Sequence, residues 1–192
     1  MNSYTIDFEP ICKLTDEQFY QLCRKNPETK FERNAKGEII IMSPTGGETG
    51  KLNFNLALKI GIWNEQTQLG VCFDSSTCFK LPNGANRSPD VAWIEQDRWD
   101  ALSAEQKEKF PPIAPDFVLE LVSPSDSLKD IQTKMQEYIN NGVKLGWLIN
   151  PKKRQVEIYR QGRSPEILDS PVHLAGENVL PGFILDLQSL WG

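Results

Sequence analysis

Histidine is nearly missing from this chain: His173 is the only one in 192 residues. A Ser-His-Asp triad and a multi-histidine zinc site are therefore not expected. No apolar run approaches the roughly 20 residues that span a bilayer, so no membrane partner is expected. The four cysteines, Cys12, Cys23, Cys72 and Cys78, show no CxxC spacing. Reduced thiols are expected, with cytoplasmic residence as the default. The stretch Met1 to Glu9 has neither a basic start nor an apolar core and does not read as a signal peptide. Positive charge is also short: 21 Lys and Arg face 26 Asp and Glu, for a net charge of −5. That balance argues against loose, non-specific affinity for nucleic acid. It leaves room for a local basic patch, or for an acidic site that takes up a cation before it meets phosphate. Internal repeats and low-complexity segments are absent.

What is present reads as one mixed α/β domain over 1–192, with a C-terminal third that is mostly β. Thr15 to Arg24 reads as a helix, with Thr15 as N-cap and Gln18 at the third helical position. Phe31–Arg33 and Glu38–Met42 flank Asn34-Ala35-Lys36-Gly37 as a hairpin. A long helix follows from about Glu48 to Asn64. Leu52, Leu56, Ile60 and Trp63 form its main stripe, and Phe54, Leu58 and Ile62 a second apolar side. Apolar residues on two sides predict a well-buried helix. Gly70–Asp74, Thr77–Leu81 and Val91–Ile94 read as strands, and Glu95–Pro115 as a polar surface excursion. Phe117–Val122 reads as the central strand, and Ser127 opens a helix that Asn141-Gly142 stops. Lys144–Ile149, Arg154–Arg160 and Gly182–Leu187 are further strands.

Charge stands where apolar residues should dominate. Glu120 interrupts Phe117-Val118-Leu119-Glu120-Leu121-Val122, and a buried strand rarely carries a charge without a partner or a job. One reading pairs Glu120 inward with a lysine or arginine. The other makes it half of an acidic pair with Asp90, which precedes a strand. Asp90 reads equally as a turn aspartate bonding nearby backbone. In the helix after Ser127, Leu128, Ile131, Met135, Tyr138 and Ile139 share a face at about 100° per residue. Lys134 lies beside that stripe and Lys129 points away. Lys134 either snorkels from the edge of a buried face or reaches the sheet that carries Glu120. Glu48 opens the long helix on its inward side, either as favourable charge at a helix N-terminus or as a third carboxylate at the rim of the site. Asp116, near the far end of the central strand, reads as structural. Two carboxylates on neighbouring strands and an amine can together hold a divalent cation and act on a phosphodiester.

The ordered set of these segments resembles the Uma2 family of restriction-endonuclease-like proteins, found mainly in cyanobacteria and other bacteria. The matching pieces are Ile41-Met42-Ser43-Pro44 with Gly47-Glu48, then Ser88-Pro89-Asp90-Val91-Ala92, then Pro115 to Asp126. Lys134, Tyr138, Gly142-Val143 and Trp147-Leu148-Ile149 complete the pattern, which covers about Thr15 to Leu187. That family resembles the PD-(D/E)XK nucleases. The implied fold is a restriction-endonuclease-like core: a mixed central sheet flanked by helices, here with extra β hairpins. Its two acids map to Asp90 and Glu120. The superfamily lysine stands two residues after the second acid, where this chain has Val122, and the Uma2 pattern offers Lys134 instead. Many Uma2-like sequences carry a histidine just after the position of Glu48, and this chain has Thr49.

The resemblance implies a Mg²⁺-dependent DNA endonuclease, with Mn²⁺ as a substitute. Asp90 and Glu120 would be the metal ligands, joined by a backbone carbonyl near Leu121 or Val122. Lys134 would orient the attacking water or stabilise the transition state, and Glu48 would assist it. Lys51, Lys80 and Arg87, each near a site segment, are the expected phosphate contacts, and Lys152-Lys153-Arg154 reads as a solvated hairpin tip. A homodimer is expected by analogy with nucleases that cut both strands. Two other readings stay open: a nuclease-fold module that binds nucleic acid or a protein without turnover, and a hydrolase of small phosphate compounds.

Overall fold

A computed structural model describes residues 3–8 and 12–191, without the side chains of Ser3 and Ser189. Met1, Asn2 and Glu9, within the N-terminal stretch read above, lie outside the described residues, as do Pro10, Ile11 and Gly192. The chain opens with β1 (Ser3–Ile6), α1 (Asp16–Lys25), β2 (Lys30–Arg33), β3 (Ile39–Met42) and α2 (Gly47–Thr67). Next come β4 (Gly70–Asp74), β5 (Phe79–Lys80), β6 (Asn86–Arg87), β7 (Val91–Glu95), α3 (Gln96–Asp100) and α4 (Ala104–Glu108). β8 (Phe117–Leu121), α5 (Leu128–Asn140), β9 (Leu145–Asn150) and β10 (Gln155–Arg160) follow. The C-terminal part holds β11 (Glu166–Asp169), β12 (His173–Ala175), β13 (Ile184–Asp186) and α6 (Gln188–Trp191).

The larger sheet runs β11-β10-β9-β8-β7-β4. Its pairs are antiparallel except β8 with β9, which lie parallel because α5 carries the chain back between them. Alternation along β8 divides its side chains between two layers. Phe117, Leu119 and Leu121 face a core shared with Leu56, Ile60 and Trp63 of α2 and with Phe183, Leu185 and Leu187. Val118 faces the other way, against Met135, Tyr138 and Ile139 of α5. Val122 packs in that same layer. α5 lies so close to β9 that a Cβ on Gly146 would meet the Met135 methyl at 2.6 Å. The smaller sheet, β1-β3-β2-β6-β5, is antiparallel throughout and joins the larger one through the short link from β6 to β7.

Local signals act as expected at several points. Thr15 and Gln18 close a reciprocal capping box on α1. Asn34 builds the β2–β3 turn, its Oδ1 accepting from the N–H groups of Lys36 and Glu38. The polar excursion after β7 contains the short helices α3 and α4. β1 adds an edge strand beside β3 that no local signal in the sequence marks. One expectation is corrected. The second apolar side of α2 is not buried: Phe54, Leu58 and Ile62 are 66%, 47% and 50% exposed. The larger sheet covers one side of α2, and among the described residues nothing packs on the other.

Candidate active site

The link from β6 to β7 carries Ser88, Pro89 and Asp90 from the smaller sheet into the larger one. Asp90 stands one residue before β7, whose first pair is Val91 with Leu119, so it lies beside Glu120 on β8. Its Oδ2 accepts from the Leu121 N–H at 2.8 Å and its Oδ1 from Asn53 Nδ2 of α2 at 3.2 Å. These are long-range contacts, not those of a local turn aspartate. Glu120 sits on the α5 side of β8, where its Oε1 accepts from the Tyr138 hydroxyl at 3.0 Å and lies 2.8 Å from Lys134 Nζ. Both contacts fall on one oxygen, and among the described residues Oε2 has no hydrogen bond or ion pair. The two open readings of Glu120 are thus compatible: it is inward and paired, and it neighbours a second acid.

Glu32, an ordinary hairpin residue by sequence, completes the cluster. It is 1% exposed on β2. Its Oε1 lies 2.8 Å from Lys134 Nζ and accepts from the Ser88 N–H at 3.0 Å; its Oε2 accepts from Arg87 Nη1 at 3.0 Å. One ammonium therefore bridges a carboxylate from each sheet. Arg87 is anchored on its other side by Glu137 of α5 at 2.6 Å. A signal was available: Glu32 and Arg33 are charges in the middle of a hairpin flanked by Phe31 and Ile39–Met42. Without the second sheet, nothing says which way they point.

These groups open onto a cavity of about 510 Å³. Glu32, Arg87, Asp90, Glu120 and Lys134 lie on its wall, with Tyr4, Ile40 and Met42 from the smaller sheet and Asp126, Asp130 and Ile131 from the β8–α5 side. Three expected residues are not brought there. Glu48 is 89% exposed in the first turn of α2, 3.8 Å from Lys51, itself 67% exposed. Charge at a helix N-terminus accounts for Glu48. Lys80 pairs with Asp16 of α1. Arg87 does line the cavity, but Glu32 and Glu137 engage its guanidinium, so it braces the site rather than offering a free phosphate contact. Another cation, Lys30, lies near the acids. It stands two residues before Glu32 on the same face of β2, half-buried, and its charge bears on Asp90. Asp116 is structural as expected, binding the Glu95 N–H, Arg98 and Lys144. Lys152, Lys153 and Arg154 are exposed at the hairpin tip.

The electrostatics separate the carboxylates. Burial raises the Glu120 pKa, as does repulsion from Asp90 and Glu32; Lys134 opposes both, and the result is about 7. Burial also raises Asp90, against the Leu121 N–H that favours its charge. Burial alone would raise Glu32, but Lys134 and Arg87 outweigh it and hold the group at about 2. Burial disfavours the charged Lys134, yet Glu120 and Glu32 together keep it protonated. Tyr138 is pushed well above its ordinary value by burial and by Glu120, so it remains a donor. Glu32 thus has two cations against it, Lys134 and Arg87, whereas Glu120 has Lys134 and the repulsion of two acids. Among the described residues no group of three or more His, Cys, Asp and Glu side chains forms a cation cage. Mg²⁺ needs none, since one or two carboxylates hold it while it keeps several waters. Two under-neutralised carboxylates with only oxygen donors fit such a hard cation.

The comparisons agree with this architecture. The family model of Uma2, described as "Putative restriction endonuclease", matches residues 16–188. The chain belongs to the Uma2 family. Its fold is similar to that of a "putative nuclease belonging to DUF820" from Anabaena variabilis, with a TM-score of 0.77 at 21% identity. The alignment covers 93% of this chain and 97% of that one. No protein of curated function matches. No helix among the described residues is long and apolar enough to cross a membrane.

Proposed function

We propose that this Uma2 protein is a Mg²⁺-dependent DNA endonuclease whose working groups are Asp90, Glu120 and Lys134. The supporting observation is the 2.8 Å contact between Lys134 Nζ and Glu120, made from the next helix and not from position 122. Val122 lies in the same layer between β8 and α5, so an amine descending from α5 reaches the region a lysine at 122 would serve.

Asp90 and Glu120 would hold the cation, with the Leu121 carbonyl as a further oxygen donor. The cation, when bound, supplies charge neutralisation at the phosphate and acidifies water. The protein's own residues do the rest. Asn53 and the Leu121 N–H fix the Asp90 carboxylate. Tyr138 fixes Glu120 through Oε1 and frees Oε2 for the cation. Glu32, braced by Arg87 and the Ser88 N–H, is a positioning residue that holds Lys134 Nζ at the cavity wall. Lys134 then stabilises the charge that builds on the phosphate oxygens. Lys30 is the phosphate anchor. Four free cysteines fit work in the reducing cytoplasm.

A second reading, a nuclease-fold module that binds without turnover, draws on the same lysine. Its ammonium is shared by two carboxylates, and Asp126 and Asp130 add negative charge at the cavity. Plasmid cleavage with and without Mg²⁺, by wild type and by Glu120→Gln and Lys134→Ala, decides between them. Cleavage that requires Mg²⁺ and collapses in both variants supports the endonuclease. Mg²⁺ binding by wild type without any strand cleavage on plasmid or single-stranded DNA sinks it in favour of the module.

A further inference from the structure

The outer face of α2 has a pattern the site does not explain. Lys51, Phe54, Leu58, Ile62 and Glu65 fall within about 80° of one another at 100° per residue. All five are exposed. Three of them are large apolar side chains in an unbroken row, on a helix whose other side is fully engaged with the larger sheet. The row is also palindromic about Leu58. Phe54 and Ile62 stand four residues to either side of it, and Lys51 and Glu65 seven.

We propose that α2 is a self-association surface, on which two copies of this chain pack their α2 helices antiparallel about a twofold axis at Leu58. A twofold contact requires a patch complementary to itself. Antiparallel pairing about Leu58 sets Phe54 against Ile62 of the other copy, twice, and Lys51 against Glu65 of the other copy, twice. A parallel pairing would instead stack Lys51 on Lys51 and Glu65 on Glu65. Lys51 has only a 3.8 Å contact with exposed Glu48 to give up, and the Glu65 carboxylate makes no ion pair among the described residues. Gly61 adds no obstacle, since a Cβ there would meet nothing within 4 Å. The opposed charges name a second copy as the occupant: a purely apolar partner would leave Lys51 and Glu65 unmatched at the two ends of the stripe. The inference rests on the helix face alone and stands whether or not the cavity hydrolyses DNA. If it does, Asn53, which holds Asp90, ties each site to the paired helix, and the two sites flank one axis.

A helix pair buries less than a standard interface of about 800 Å² per partner, so the expected dimer is in the micromolar range. Sedimentation equilibrium of the full chain over roughly 1–200 µM brackets that range. Wild type is expected to dimerise. Leu58→Glu, which puts two carboxylates on the axis, is expected to weaken the dimer at least tenfold. Because Leu58 is exposed, its circular dichroism and melting should stay those of wild type. Lys51→Glu and Glu65→Lys are each expected to weaken association, and the double exchange to restore it. Wild type that remains monomeric, or a dimer indifferent to Leu58→Glu, overturns the proposal and leaves the face to another protein. Charge exchanges that fail to rescue one another overturn the antiparallel geometry.

Discussion

Glu32 on the smaller sheet and Glu120 on the larger sheet each lie 2.8 Å from the same ammonium, that of Lys134. Glu32 has Arg87 as a second cation and the Ser88 N–H as a further donor. Glu120 has Asp90 for a neighbour. The asymmetry decides which acid stays ionised and which holds a proton up to about pH 7.

Removing Glu32 should therefore cost stability first. Glu32→Ala leaves Arg87 with Glu137 and Lys134 with Glu120 as their remaining carboxylates in a buried site, so the loss should stay below the about 3–5 kcal/mol of a buried charge left with no partner. Urea denaturation at pH 7 measures it. Glu32 is held near 2, below its ordinary 4.5. The stabilisation it supplies is fully present above pH 4.5 and is lost as the pH falls toward 2. A Glu32→Ala loss that is as large at pH 2 as at pH 7 would contradict this account.

Glu120 works in the opposite direction. Its folded pKa of about 7 lies above its ordinary 4.5, so between those values the folded chain binds a proton that the unfolded chain has released. Without metal, its contribution should make the protein gain about 3 kcal/mol as the pH falls from above 7 to 4.5. Glu120→Gln should flatten that rise. Mg²⁺ binding near pH 6.5 should expel the proton, so the calorimetric enthalpy should change between buffers of different ionisation heat. Identical enthalpies in both buffers would rule out a titrating Glu120.

Lys134→Ala should split binding from turnover. The rate of strand cleavage is expected to fall about 10²–10³-fold, the usual loss for one preorganised donor to a developing charge. Mg²⁺ affinity should hold or rise, because Asp90 and Glu120 lose a competing cation. Single-turnover rates and metal titration on the same preparation test both halves; loss of metal binding along with rate would point to a collapsed site.

Lys30→Ala should act on substrate. As a phosphate contact, Lys30 should contribute nearly one unit to the slope of log affinity against log salt. Binding titrations of a duplex at several salt concentrations, in Ca²⁺ in place of Mg²⁺, give that slope. An unchanged slope would remove Lys30 from the interface.

Much of this was legible in the chain because local chemistry is written locally. Thr15 and Gln18 mark a helix start, Asn34 a hairpin turn, and Phe117–Val122 a buried strand, each through a pattern of residue types within a few positions. Glu120 could be singled out because a charge amid five apolar neighbours conflicts with its own strand. Lys134 followed from helical period, which sets it at the edge of the buried face. The same reasoning failed for Phe54, Leu58 and Ile62, because apolar character on two sides of a helix does not say that a second neighbour exists to cover the outer side. It did not show that Lys51 and Lys80 lie off the cavity, or that Arg87, which lines it, is engaged by two carboxylates. Nearness in sequence to a site segment does not reveal that Asp16, Glu32 and Glu137 already claim two of those cations.

The sequence by itself determined the order of the main elements from α1 to β10, the acidic interruption of the central strand and the family pattern, since period, capping and turn chemistry depend on residues close together in the chain. Only the tertiary structure decided that Glu32 belongs with Glu120, and that Glu48 does not. Two short strands from different sheets meet across the Ser88–Asp90 link, and that junction turns buried charges distant in sequence into one electrostatic unit. The ionisation of each then depends on partners at about 3 Å, where low dielectric makes every charge count.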